Sequence, residues 1–114
     1  MAQQKNFFTE IDLSGANLAA ANLSGANLAA ANLRGANLAV DDLKDAHLHG
    51  ARLDEANLIG ANLSNAFLTR AILSDAYFRR ANLSGAYLSG AKFTGAYFRR
   101  ANLRRVKLVV RQWC

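Results

Sequence analysis

Proline is absent from this chain, and cysteine occurs once, as Cys114 at the last position. One thiol excludes a disulfide framework within the chain. Long apolar runs are missing too. Met1–Glu10 carries no extended apolar core of the kind a secretory signal needs. No stretch reaches the length of a transmembrane span. The default expectation is therefore a cytoplasmic protein. Histidine is confined to His47 and His49, and no serine has a histidine placed beside it as a catalytic base, so the pattern implies a protein that is not an enzyme. Acid is scarce in one half only. Residues 1–57 hold seven acids and four bases, a balance of −3, whereas residues 58–114 hold ten bases and the single acid Asp75, a balance of +9. The formal net charge of +6 thus hides a mildly acidic end and a strongly basic one.

What the chain has in abundance is order. Every fifth residue from Leu13 to Leu108 is Leu or Phe, twenty positions without exception. Two residues before nearly every one stands Ala, as in Ala16–Leu18, Ala61–Leu63 and Ala96–Phe98. A strict internal repeat of this kind decides the architecture before any other feature. An α-helix does not fit, because a step of five residues overshoots a full turn by about 140° and spreads the leucines around the whole cylinder. A flat strand does not fit either, since side chains five apart point to opposite faces. The pattern closes only if the chain turns a corner within every five residues. Leu and the Ala two before it then point inward, and the remaining three positions point outward or form the corner.

Short legs joined by repeated corners build a solenoid whose legs pair as parallel strands. The run Tyr77-Phe78-Arg79-Arg80-Ala81-Asn82-Leu83 recurs from Tyr97 to Leu103, an offset of twenty residues, or four legs. Four legs per coil give a square cross-section. Residues 11–110 then make five coils, a rod about 24 Å long at strand spacing. The fold class expected is all-β, a parallel β-helix in one domain spanning residues 1–114, with residues 1–10 as an N-terminal cap and 111–114 as a C-terminal tail.

Units such as Ala21-Asn22-Leu23-Ser24-Gly25 and Ala81-Asn82-Leu83-Ser84-Gly85 resemble the A-(D/N)-L-x-x signature of pentapeptide repeat proteins. The resemblance covers residues 11–110. It implies a right-handed quadrilateral β-helix, in agreement with the square coil. It also implies a non-catalytic scaffold, without cofactor, serving as a protein-interaction or structural module. Some members of that family act as topoisomerase inhibitors by imitating the DNA duplex with an acidic rod, and several dimerise through their C-terminal ends. Among the departures from the signature, Asp41 and Val106 each replace the inward Ala of a unit. A buried carboxylate is costly unless paired, so a bulge or distortion is expected at Asp41.

Residues twenty apart should stack, and the outer columns name the candidate surfaces. Tyr77, Arg79 and Arg80 lie below Tyr97, Arg99 and Arg100, forming an Arg/Tyr patch suited to an anionic partner such as nucleic acid or a membrane surface. On the opposite face Asn27, His47, Phe67, Tyr87 and Lys107 form one column, in which Phe67 should be exposed and make an aromatic ladder with Tyr87. His47 and His49 could grip one metal ion only with further ligands, and the stacked neighbours Phe67 and Thr69 offer none. Arg34 should pair with Asp54 above it. Faces this flat or convex are expected to lack pockets. Leu108, Val110 and Trp113 form the candidate end cap or homodimer contact, because an open coil exposes a strand edge that needs covering.

Overall fold

The computed structural model describes residues 11–108. They wind into a right-handed, four-sided parallel β-helix. Coil 1 runs over residues 11–30, coil 2 over 31–50, coil 3 over 51–70, coil 4 over 71–90 and coil 5 over 91–108. The four faces are set by the inward leucines: Leu33, Leu38, Leu43 and Leu48 mark the first to fourth faces of coil 2. Each leg makes a single parallel bridge to the leg twenty residues on, from Asp12–Asn32 to Tyr87–Lys107. The expected offset and register are thus present on every face.

One repeat shows how five residues satisfy themselves. The Asn62 amide donates to the Asp41 carbonyl below at 2.9 Å, and the Leu63 and Asn65 amides donate to the Asn82 and Ser84 carbonyls above at 2.6 and 2.9 Å. The Ala66 amide closes the corner onto the Leu63 carbonyl at 3.0 Å. That leaves the Ser64 amide, which donates to Asn62 Oδ1 at 3.0 Å, and the Ser64 hydroxyl donates to the same oxygen at 2.8 Å. The Asn of the repeat therefore completes the backbone, since a buried unpaired amide costs about 1–3 kcal/mol. Asn17, Asn57, Asn82 and Asn102 do the same for the amides two residues on. At Asp12 the Ser14 hydroxyl and amide both donate to the carboxylate, and these bonds hold its pKa below the ordinary value.

The corners explain the fifth position. In each corner the residue two after the inward Leu or Phe sits at positive φ. All eight glycines of the chain occupy such sites, together with eleven non-glycine residues. Gly85 illustrates the need, because a side-chain carbon there would strike the Asn65 carboxamide as well as strain the backbone. Val40, at φ 60°, is the least comfortable occupant, being β-branched.

The core is two nested columns per face. Leu33, Leu53 and Leu73 form one interior column and are 0% exposed, with Ala31, Ala51 and Ala71 beside them. Phe78 and Phe98 stack within the second column, ring centroids 5.0 Å apart. Burial weakens toward coil 5, where Phe93, Leu103 and Leu108 are exposed by 42%, 40% and 54%.

The expected distortion at Asp41 does not occur. Asp42 bridges Asn22 and Asn62 in regular register, and the Asp41 amide makes the normal corner bond to the Leu38 carbonyl at 3.1 Å. The carboxylate fits because Oδ1 accepts the Ala21 amide from the coil below at 2.8 Å. Asp41 is 1% exposed and its Oδ2 has no hydrogen-bond partner. Burial pushes its pKa up, opposed by the amides of Ala21 and Ala20. The cost of the carboxylate is thus borne at one oxygen rather than by the backbone.

Candidate binding surface at the basic end

The twenty-residue register brings the predicted Arg/Tyr patch together. Tyr77 and Tyr97 project from the second face and stack at 5.1 Å between ring centroids, with 5° between planes. Arg79, Arg80, Arg99 and Arg100 occupy the corner that follows, all exposed. Between rings and guanidiniums runs a groove of about 320 Å³ lined by Ile59, Tyr77, Arg79, Tyr97 and Arg99. A smaller cleft of about 150 Å³ lies among the four arginines themselves. The expectation that no face would carry a pocket is therefore corrected. Long side chains standing in adjacent columns raise walls on an otherwise flat sheet, with the shorter Ile59 of coil 3 in the lining.

Two further arginines belong to this end. Arg104 and Arg105 stand at the next corner, across the third face, and line a depression of about 280 Å³ with Ser84 and Asn102. Column stacking does not flag them, because the residues below are Ser84 and Gly85 rather than a second arginine pair. Their signal in the sequence is the absence of acid. From residue 76 to 108 there is no Asp or Glu, against six Arg and two Lys. The ion pairs among the described residues lie elsewhere, at Arg34–Asp54 (2.9 Å, as expected) and Arg52–Asp54 (3.3 Å).

The opposite face carries a ladder of a different character. His47 stacks on Phe67 at 4.9 Å and Phe67 on Tyr87 at 4.8 Å. Lys107 Nζ then sits 4.5 Å from the centre of the Tyr87 ring, a cation–π contact at the top of the ladder. Phe67 is half-buried rather than exposed, since His47, His49 and Tyr87 cover it. This ladder joins coils 2 to 5 along a face where Asn no longer completes the backbone. His47 and His49 lie 5.7 Å apart by ring centroid, and no group of three or more potential metal ligands exists among the described residues.

Of the proposed C-terminal contact, Leu108 is exposed on coil 5, whereas Val110 and Trp113 lie outside the described residues, as do the proposed cap over residues 1–10 and the tail over 111–114. Among the described residues no helix is long and apolar enough to cross a membrane.

Comparison with known proteins agrees with this architecture. The family model for pentapeptide repeats (8 copies) matches residues 8–39, 42–75 and 71–108. No curated protein matches the sequence. Among solved structures, a pentapeptide repeat protein from the thylakoid lumen of Arabidopsis thaliana superposes with a TM-score of 0.75 at 28% identity, over 81% of this chain. The chain spans only 64% of the length of that relative. A pentapeptide repeat protein from the cyanobacterium Cyanothece 51142 gives a TM-score of 0.44 at 26% identity, over 95% of this chain and 92% of its own. QnrB1, a plasmid-mediated fluoroquinolone resistance protein, gives 0.41 at 22% identity, over 74% of this chain and 58% of its own. With five coils in unbroken register and a family match across nearly all of them, the chain belongs to the pentapeptide repeat family.

Proposed function

We propose that this chain is a non-catalytic scaffold of the cytoplasm, a protein-interaction module whose working surface is the basic end. The observation that carries this reading is the set of exposed arginines beside a walled groove, in a region without a single acid. Like charges crowded at coil spacing repel, and a partner supplying carboxylates or phosphates relieves that repulsion. The groove adds apolar area for an anchor side chain. The test is affinity capture from lysate, with and without nuclease, comparing wild type with the Arg79, Arg80, Arg99, Arg100→Ser variant. A protein captured by wild type in the presence of nuclease, and lost with the variant, supports the reading. Identical capture by both removes the patch from it.

A second reading is direct binding of an anion, either nucleic acid or a membrane surface, through the same patch. The charge balance of residues 76–108 favours it. A DNA-mimicking topoisomerase inhibitor fits less well, because such mimicry needs acid where this rod carries arginine. The exposed Phe93, Leu103 and Leu108 support a homodimer through the last coil. Light scattering at increasing concentration reads that mass directly.

A further inference from the structure

We propose that the basic end binds single-stranded nucleic acid, its phosphates held by guanidiniums on two corners and its bases laid against the Tyr77/Tyr97 groove. This inference rests on the anion-binding reading above and narrows it. The third face at this end is rich in donors and carries no carboxylate. Arg80 and Arg100 stand along one edge and Arg104 and Arg105 along the other. Between them are Asn82 and Asn102, whose Oδ1 atoms accept the amides of Ser84 and Arg104, each at 3.0 Å. The NH2 group of each Asn is thereby turned away from the backbone and can donate to a ligand. Arg104 lies four residue steps beyond Arg100, a reach of at most about 13 Å, and successive coils add a step of about 4.8 Å. A flexible phosphodiester chain can follow such a clamp.

Charge alone would suit any polyanion. The groove on the other side of the same corner makes the distinction. Arg79 and Arg99 share it with Tyr77, Tyr97 and Ile59, so guanidinium and aromatic surface meet within one recess. Single strands are bound by this pairing, a basic track for the backbone beside aromatic surface for the bases. A duplex keeps its bases stacked inside, a sulfated polysaccharide has none, and a lipid surface would touch only the ridge of the corner. A strand can bend over that ridge, with phosphates toward the third face and bases toward the second.

The experiment is fluorescence anisotropy with a labelled oligothymidylate dodecamer, an abasic oligomer with the same number of phosphates, the corresponding duplex, heparin and phosphatidylserine vesicles. Arg104,Arg105→Ser, Tyr97→Leu and the four-Arg→Ser protein are compared with wild type after far-UV spectra show the same fold. The oligothymidylate is expected to bind about ten-fold more tightly than the abasic oligomer. Loss of Arg104 and Arg105 should flatten the logarithmic salt dependence by about 1.4, two contacts at the single-strand slope. Tyr97→Leu should close the gap between base-bearing and abasic oligomers while leaving heparin binding unchanged. Equal binding of the two oligomers, an unchanged salt slope, or preference for duplex or vesicles overturns the single-strand assignment. If heparin is still held by wild type and released by the four-Arg variant, the broader anion reading survives that result. No binding to any of the probes at low salt overturns both.

Discussion

Replacing Asp41 by Ala should make this protein more stable, and the size of the gain follows from one atom. Asp41 sits in the inward column that Ala occupies at almost every other coil position, is 1% exposed, and leaves Oδ2 without a partner. An unsatisfied buried polar atom costs about 1–3 kcal/mol, more if charged. Truncation removes that cost. It also removes the bond from the Ala21 amide, but that amide keeps its corner acceptor, the Leu18 carbonyl, at 3.2 Å. The net expectation is a gain of about 1–2 kcal/mol at neutral pH, which is a rise in Tm of about 5 °C or more for a domain of this size. The pH dependence supplies a second check. Because burial raises the folded-state pKa above the ordinary carboxylate value of 3.8, the folded protein binds this proton more readily than the unfolded chain. The stability that protonation confers is complete below 3.8 and is lost as pH rises through the raised value. The advantage of Asp41→Ala over wild type should therefore be smallest near the low end of that window and widen to a plateau toward neutral pH. Thermal melts by circular dichroism across that range measure it. A variant that melts below wild type at neutral pH, or a difference that does not change with pH, would refute the account of Asp41.

Three further substitutions probe the repeat itself. Val40→Gly relieves a β-branched residue at φ 60° and should raise stability by about 1 kcal/mol, read as a shift of the urea midpoint without a change in slope. Leu53→Asp places a carboxylate in a fully buried column and should cost about 4 kcal/mol or more, visible as loss of the far-UV signal; an unchanged spectrum and melting temperature would mean the register is wrong. Asn62→Ala strands the Ser64 amide and hydroxyl together and should cost about 1–2 kcal/mol, whereas Lys92→Ala, on an exposed outer position, should change the melting temperature little.

The architecture was legible because it obeys one rule at every position. Leu at i and Ala at i−2 state the inward face, and the Tyr77-to-Leu83 echo states the coil length. The columns built from that rule correctly stack Tyr97 on Tyr77, Phe67 on His47, and Asp54 over Arg34. The features not legible in the sequence depend on side-chain length and hydrogen-bond capacity, which residue spacing alone does not encode. The role of Asn at i−1 becomes clear only when each amide is traced to its acceptor. The groove needs the height of Tyr and Arg above the short Ile59. Arg104 and Arg105 have no partners in their own column, so only the corner geometry joins them to the patch. The repeat pattern places Asp41 inward, but that the coil stays regular there depends on the Ala21 amide below, a donor the column pattern does not show.

The square section also governs how such a chain can change length. Adding twenty residues would lift the arginine corner by one coil and leave it pointing the same way. Adding five would keep every inward leucine inward, yet carry all that follows to the next side of the square. Tyr77, Tyr97 and their arginines would then look out a quarter-turn away, over a different acidic and apolar foreground. The rod is in this sense a dial as well as a ruler, with the repeat number setting both the height and the bearing of whatever it displays.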